Sequence, residues 1–323
     1  MPQGSRHVVY GPADRDRDDG DGELTATTSE EAHPLHRRRD VLLLVAPVVA
    51  YLFVFSLFPL LYSLVVSFFR WSQVESSFSF IGLGNYQELF SDSVFWEASV
   101  NTAILMVAGV SIQLVVGTAL ALFFDSQLRG SWIVRGVLIL PMLLTPIVVG
   151  LMWRAMLNPD WGIVNWALGE LGLPQPLWLG DPSLALMTLV LVDSWQWVPF
   201  IMVIVFARLQ ALPRDVFEAS EVDGATWWQT LRRVTLPMLA PAIVFAGIFR
   251  AIDAFRSFDV VFGLTFGGPG RLTTTLSFYA WENSLRFDRY GYSSAISYVM
   301  VIVAIVGVTL LFRYLAVRRE DAT

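Results

Sequence analysis

The sequence predicts an all-α membrane protein with six transmembrane spans, and three observations lead to that reading. Of its 323 residues 55% are hydrophobic and only 15% charged, with a mean hydropathy of +0.56. Apolar runs of the roughly 20 residues needed to cross a hydrocarbon core recur six times. The charges are gathered into short islands between those runs, where ionised side chains reach water.

In chain order, residues 1–40 alternate Asp and Arg and hold few apolar side chains, so they are expected to form a disordered cytoplasmic tail. They lack a signal-peptide layout, because the first apolar run follows Arg37, Arg38 and Arg39 and is too long for the core of a leader. The six runs lie near Val41 to Phe69, Trp96 to Phe124, Ile133 to Trp153, Leu184 to Ala207, Met238 to Phe262 and Ala295 to Tyr314. Residues 41–318 thus make one membrane domain, and 319–323 a short cytoplasmic tail. Pro47, Pro59, Pro141, Pro146, Pro199 and Pro241 fall inside the runs and are expected to kink helices without ending them. Arginine placement orients the chain. Arg37 to Arg39, Arg129, Arg135, Arg208, Arg214, Arg232, Arg233, Arg313, Arg318 and Arg319 flank one side, against Arg70, Arg154, Arg271, Arg286 and Arg289 on the other, so both termini are expected in the cytoplasm.

Composition also excludes chemistry. There is no cysteine, so disulfides and thiolate sites are absent. All 22 basic residues are arginine, which rules out a phosphate loop ending in lysine and a Schiff-base lysine. The three histidines, His7, His33 and His36, sit in the tail, so none can act as an intramembrane base or metal ligand. Nothing in the net charge of -6 points to nucleic acid.

Two polar clusters interrupt the spans. Arg250, Asp253, Arg256 and Asp259 recur every three residues in the fifth, with Arg250 and Asp253 expected near mid-membrane. Pairing along the helix would make them a self-neutralising structural ladder. Read functionally, alternating donors and acceptors beside Phe249, Phe255 and Phe258 suit a neutral sugar or polyol better than an ion. In the fourth run, Asp193, Trp195, Gln196 and Trp197 precede Pro199, and serve either helix-to-helix hydrogen bonding or solute contact.

The longest polar island, Leu212 to Pro241, is amphipathic. Pro213 suits a helix start, Asp215 and Glu218 a helix N-terminus, and Gly224 a stop before a second short helix from Thr226 to Val234. That describes a helix-turn-helix at the membrane surface. Its run Glu218-Ala219-Ser220, Asp223-Gly224-Ala225 and Leu236-Pro237 resembles the EAA loop of binding-protein-dependent ABC import permeases. Further stretches resemble the carbohydrate-uptake branch of that family, including Gly82-Leu83-Gly84-Asn85-Tyr86, Asn101-Thr102, Pro199-Phe200, Phe255-Arg256-Ser257-Phe258-Asp259 and Leu264 to Pro269. Ser220 departs from the usual alanine, and Phe266 stands where glycine is common.

The resemblance implies a type I ABC importer permease with six spans and a cytoplasmic EAA coupling helix-turn-helix. It also implies a sugar as cargo, a di- or oligosaccharide such as trehalose or maltose, or a sugar-like polyol. Expected partners are a second permease, usually a different chain, two ATPase subunits that bind ATP and magnesium, an extracytoplasmic sugar-binding protein and the lipid of a bacterial or archaeal plasma membrane. No cofactor, metal or catalytic residue of its own is expected. The rival classes are an ion-coupled secondary transporter and an integral-membrane transferase using Asp193, Asp253 and Asp259. The absence of an Asp-rich metal motif at a membrane face counts against the transferase.

Overall fold

The structure, a computed structural model, describes residues 34–74, 76–125 and 131–320. The expected N-terminal tail lies outside these as far as His33, as do Arg129 and the last three residues. The chain divides after Leu57 into two units. In the first, helix α1 (Pro34–Leu52) runs into a π turn at Phe53–Leu57. The side chains of residues 45–57 are all exposed, which costs an apolar helix nothing in hydrocarbon.

The second unit opens with α2 (Phe58–Val66) and a hairpin of β1 (Phe69–Ser72) and β2 (Ser77–Phe80), antiparallel with Phe69 opposite Phe80. Here the expected span to Phe69 is corrected: the helix ends at Val66, and alternating aromatic and polar residues favour strands instead. There follow α3 (Gly84–Ser91), α4 (Ser93–Asp125), α5 (Ser131–Leu143), α6 (Pro146–Met156), α7 (Ile163–Glu170), α8 (Ala185–Gln210), α9 (Arg214–Val222), α10 (Trp227–Thr230), α11 (Leu236–Phe255), α12 (Asp259–Leu264), α13 (Leu276–Trp281) and α14 (Tyr290–Glu320).

Among the described residues, five helical stretches are long and apolar enough to cross a membrane: Val45–Val66, Ser93–Asp125, Ala185–Gln210, Trp227–Phe255 and Tyr290–Leu310. A sixth crossing exists if the bent pair Trp132–Leu143 and Pro146–Met156 is one span. The two halves meet at 101°, which corrects the expectation of a merely kinked third helix. Thr145 precedes Pro146 and is held extended, at φ -66° and ψ 137°, because the proline ring excludes the helical conformation from its predecessor. The fifth span is corrected at both ends. It begins at Trp227, because α10 continues through a π turn (Leu231–Thr235) into α11, and it stops at Phe255. The wide turn lies just ahead of Pro237, whose ring would collide with the carbonyl four residues back in an ordinary helix.

Helices α4 and α8 form the central pair. Their closest approach is at Gly117, where a Cβ would lie 2.7 Å from Ile201 Cβ and 2.9 Å from the Val198 carbonyl oxygen. Short helices α6 and α12 cross just as tightly: a Cβ on Gly150 would fall 2.9 Å from Leu264 N, and one on Gly263 would fall 2.6 Å from Ile147 O. Three buried apolar clusters hold the bundle. One joins Leu105, Val149, Leu189, Val260, Leu264 and Phe278, a second Ala121, Phe124, Ile201, Val205, Leu239 and Ala246, and a third Leu89, Phe95, Leu276, Tyr279, Tyr292 and Ile296.

Buried polar side chains close the breaks. Gln196 Nε2 donates to Leu144 O at 2.9 Å beside the first break, and Thr275 Oγ1 donates to Ser257 O at 3.0 Å in the second. The loop after α12 is drawn into the bundle, with Asn101 Nδ2 donating to Thr274 O at 3.1 Å and Thr102 Oγ1 accepting from Leu276 N at 2.9 Å. Asp92, between α3 and α4, accepts from the hydroxyls of Tyr279 and Tyr292. Burial pushes its carboxyl up, but those bonds and the Val94 N–H outweigh it and hold Asp92 below its ordinary value of 3.8. This clamp therefore adds stability above that pH and loses it as the pH falls through the lowered value.

Because backbone as well as side chain would have to yield at Gly117, replacement by leucine is expected to prise α4 from α8. Overpacking of this kind costs about 1–3 kcal/mol. A Gly117→Leu protein in detergent should melt several degrees below wild type by tryptophan fluorescence; an unchanged midpoint would show that the pair can separate freely.

Candidate functional site

Between the first two apolar clusters, α4, α8 and α11 enclose a polar layer. Gln113 lies on α4 between Leu105 and Ala121, Asp193 on α8 between Leu189 and Ile201, and Arg250 on α11 one turn beyond Ala246. The Arg250 side chain is 1% exposed. Every one of its nitrogens is engaged: Nη2 with Asp193 Oδ2 at 2.8 Å, Nε with Gln113 Oε1 at 2.8 Å, and Nη1 with Asp253 Oδ2. Gln113 Nε2 closes the ring by donating to Asp193 Oδ2 at 2.9 Å. The guanidinium carbon lies 4.7 Å from the centroid of Trp197, so the face of the cation is covered as well. A buried charge is tolerable when it is paired and its donors are satisfied, and here both conditions hold.

From this buried centre the polar groups run outward. Asp253 is 30% exposed and also contacts Arg256, which is 74% exposed, at 3.4 Å. The expected ladder holds from Arg250 through Asp253 to Arg256 and is corrected at Asp259. Helix α11 ends at Phe255, so Arg256 falls in the break and Asp259 opens α12, exposed. Arg250 also pairs across to Asp193 on α8. Of the remaining sequence candidates, Gln196 is buried beside the first break, Trp195 is 39% exposed and meets Trp153 edge to face, and Phe255 packs on the third cluster. Phe258 stacks with Phe278 and neighbours Phe262 and Trp281. Phe266 adds its ring to that aromatic group with a left-handed backbone, φ +53°. The structure thus brings Asp193, Arg250, Asp253 and Arg256 into one chain of contacts, and leaves Asp259 outside it. Gln113 was missed by the sequence reading; its signal was that of the lone amide between Leu105 and Phe124.

The second site is the polar connection from α8 to α11. Helix α9 ends in a turn where Gly224 has φ +70°. Gly224 N donates to Glu221 O and Ala225 N to Ser220 O, both at 3.0 Å, the paired bonds that let a left-handed glycine close a helix. Thr226 and Gln229 then start α10 with reciprocal side-chain and backbone bonds. The expected second short helix is corrected here too, since α10 is the opening turn of the fifth span. Glu218, Ala219, Asp223, Gly224 and Pro237 are exposed, while Ser220, Ala225 and Leu236 are half-buried. The Ser220 hydroxyl donates to Phe217 O at 2.7 Å and meets the Thr230 hydroxyl at 3.3 Å, so this residue ties α9 to α10.

The chain is similar to a group of known membrane proteins. Residues 113–320 match the family described as binding-protein-dependent transport system inner membrane component. A probable ABC transporter permease protein of Sinorhizobium fredii is 39% identical over 246 residues, covering 76% of this chain and 79% of that one. The trehalose/maltose transport system permease protein of Thermococcus litoralis is 33% identical over 279 residues, covering 86% and 94%. Among solved structures, a bacterial alginate ABC transporter in complex with an alginate pentasaccharide-bound periplasmic protein contains a chain of the same fold, with TM-score 0.75, 22% identity and coverage of 86% and 94%.

Gln113 is positioned to matter for the polar layer as a whole. Gln113→Leu would deprive two buried charged groups of a hydrogen bond each, at about 1–3 kcal/mol per group. A fall in thermal midpoint larger than that of Thr118→Val, on the same helix, is expected; equal midpoints would mean that Arg250 and Asp193 are held without the amide.

Proposed function

The chain belongs to the binding-protein-dependent transport system inner membrane components, and on that premise we propose that it is the permease subunit through which an ATP-driven importer passes a di- or oligosaccharide, or a sugar-like polyol, into the cytoplasm. It is a multi-pass membrane protein of the ABC permease kind. In the proposed assembly it pairs with a second, different permease and stands on two ATPase subunits that bind ATP and magnesium. An extracytoplasmic binding protein delivers the sugar. The chain needs no cofactor and catalyses nothing; both its termini face the cytoplasm, in line with the arginine bias.

One observation carries the reading. The exposed turn at Gly224 connects α8 and α11, the same two helices that bear Asp193 and Arg250. An ATPase that grips Glu218, Ala219, Asp223 and Gly224 would therefore pull on both partners of the buried ion pair. Helices transmit such a pull because they are stiff and their contacts discrete. The turn is the handle, and the polar layer is where its movement is felt.

For the sugar itself, the exposed end of the layer supplies the contacts. Asp253 and Arg256 offer an acceptor and donors to hydroxyls, and Trp195, Phe255 and Phe258 offer apolar faces to pyranose rings. Asp193 and Arg250 act behind them, as the support that fixes Asp253, while Gln196 steadies the backbone at the first break. Asp259, exposed at the start of α12, extends the polar lining outward in this proposal.

Two experiments test the proposal. In the assembled complex, Glu218→Ala or Gly224→Asp should leave the protein in the membrane but reduce ATP hydrolysis stimulated by loaded binding protein to the basal rate. Normal stimulation in both would remove the turn from the ATPase interface. Asp253→Asn, which exchanges charge-assisted bonds for neutral ones about 1.4 kcal/mol weaker, should raise the KM for uptake about tenfold with turnover little changed. An unaltered KM would make the layer purely structural.

A further inference from the structure

The first crossing ends at Val66 and the last begins at Tyr290. The chain that leaves the one meets the chain that enters the other in a recess of about 380 Å³, walled by Arg70, Asn85, Glu88, Asp288, Arg289 and Tyr292. Most of these side chains are charged or polar, so the recess opens to water rather than to hydrocarbon. Its walls are fixed. Buried Asn85, from the Gly82 to Tyr86 stretch, ties α3 to the start of the hairpin by donating to Ser67 O at 2.8 Å and Phe69 O at 2.9 Å. A Cβ on Gly291 would fall 1.9 Å from Phe69 O, so no side chain can come between β1 and α14 at this point.

The hydrogen bonds of the charged wall leave one group unmet. Glu88 pairs with Arg289, whose guanidinium carbon also lies 4.1 Å from the centroid of Tyr292. Asp288 accepts from the Ser72 hydroxyl and the Val74 N–H, each at 2.6 Å. Both carboxylates are therefore engaged. Arg70 is exposed, and its side chain donates to no partner among the described residues. With two arginines and two acids in its wall the recess is formally neutral, so what it lacks is an acceptor for the five N–H groups of Arg70. A carboxylate meets that planar fork with two parallel bonds. A phospholipid would offer Arg70 its phosphate, but its acyl chains would find polar walls where they need an apolar trough.

We propose that this recess is a docking socket for an acidic side chain, Asp or Glu, carried by the extracytoplasmic binding protein, with Arg70 as its partner and Phe287, 45% exposed, against the loop that bears it. The inference rests on the reading of the chain as an importer permease fed by such a protein, and adds where that protein is gripped. The arginine bias assigns this end of the bundle to the outer face, where the binding protein arrives. An ion pair at an exposed socket speeds encounter and fixes register more than it adds affinity, which suits a partner that docks and leaves in every cycle. Because the walls are already bonded to one another, docking need not order them first.

The test uses the full-length protein in its assembled complex, reconstituted in nanodiscs, with the loaded binding protein that stimulates its ATP hydrolysis. The half-saturating concentration of that protein should rise between about 50 and 500 mM salt. At low salt Arg70→Gln should raise it about tenfold with the stimulated plateau unchanged, while Arg70→Lys, which keeps the charge, should keep most of the affinity. Arg154→Gln removes another exposed arginine assigned to the outer face and should change the value by less than about twofold. An equal rise in Arg154→Gln would mean diffuse steering and overturn the socket. An unaltered value in Arg70→Gln overturns it too and leaves the importer reading intact, whereas a wild-type complex that no binding protein stimulates brings down both. A photo-crosslinker at position 287 should capture the binding protein, and this arm decides if Arg70→Gln does not assemble. Capture of lipid, of the second permease or of nothing at that position overturns the proposal.

Discussion

A fully buried arginine sets the terms for the middle of this bundle. Arg250 cannot lose its charge, and in a low-dielectric interior it can be kept only by partners that neutralise it and accept its hydrogen bonds. Asp193, Asp253 and Gln113 do so from three directions, and Trp197 covers the remaining face. Helices α4, α8 and α11 are therefore fixed in register as well as packed. A slip by one turn of any of them would strand an ion, whereas a slip in a wholly apolar bundle would only repack it.

That polar layer divides the core in two. On one side lie the broken elements, α6 and α12, which follow the 101° bend after Leu143 and the stop at Phe255. Breaks expose carbonyls, and hydrocarbon offers them nothing, so Gln196 and Thr275 bond to them from within the protein. On the other side α4, α8 and α11 run unbroken toward the turn at Gly224. One half of the bundle is built of irregular, polar-bonded backbone, and the other of long helices.

Much of this was legible in the sequence. Six apolar runs and the Glu218 to Pro237 motif determined the membrane class, a count of five to six spans and the place of the exposed turn, because hydropathy, propensity and turn chemistry act over a few neighbouring residues. Gly224 could be read as a stop from its own backbone freedom, ahead of a second helix starting at Thr226. The charged residues of the fifth run were visible too, as was the polar group around Asp193. Only the tertiary structure decided who pairs with whom. Arg250 and Asp253 share a helix and could be matched by counting, but Asp193 is 57 residues and Gln113 137 residues from Arg250, and no local rule carries over such a distance. The bend at Thr145 was hidden as well: a proline in an apolar run permits a kink or a break, and the glycine crossing of Gly150 with Gly263 and the amide of Gln196 make the break the stable choice, while the end of α11 at Phe255 has no proline to mark it.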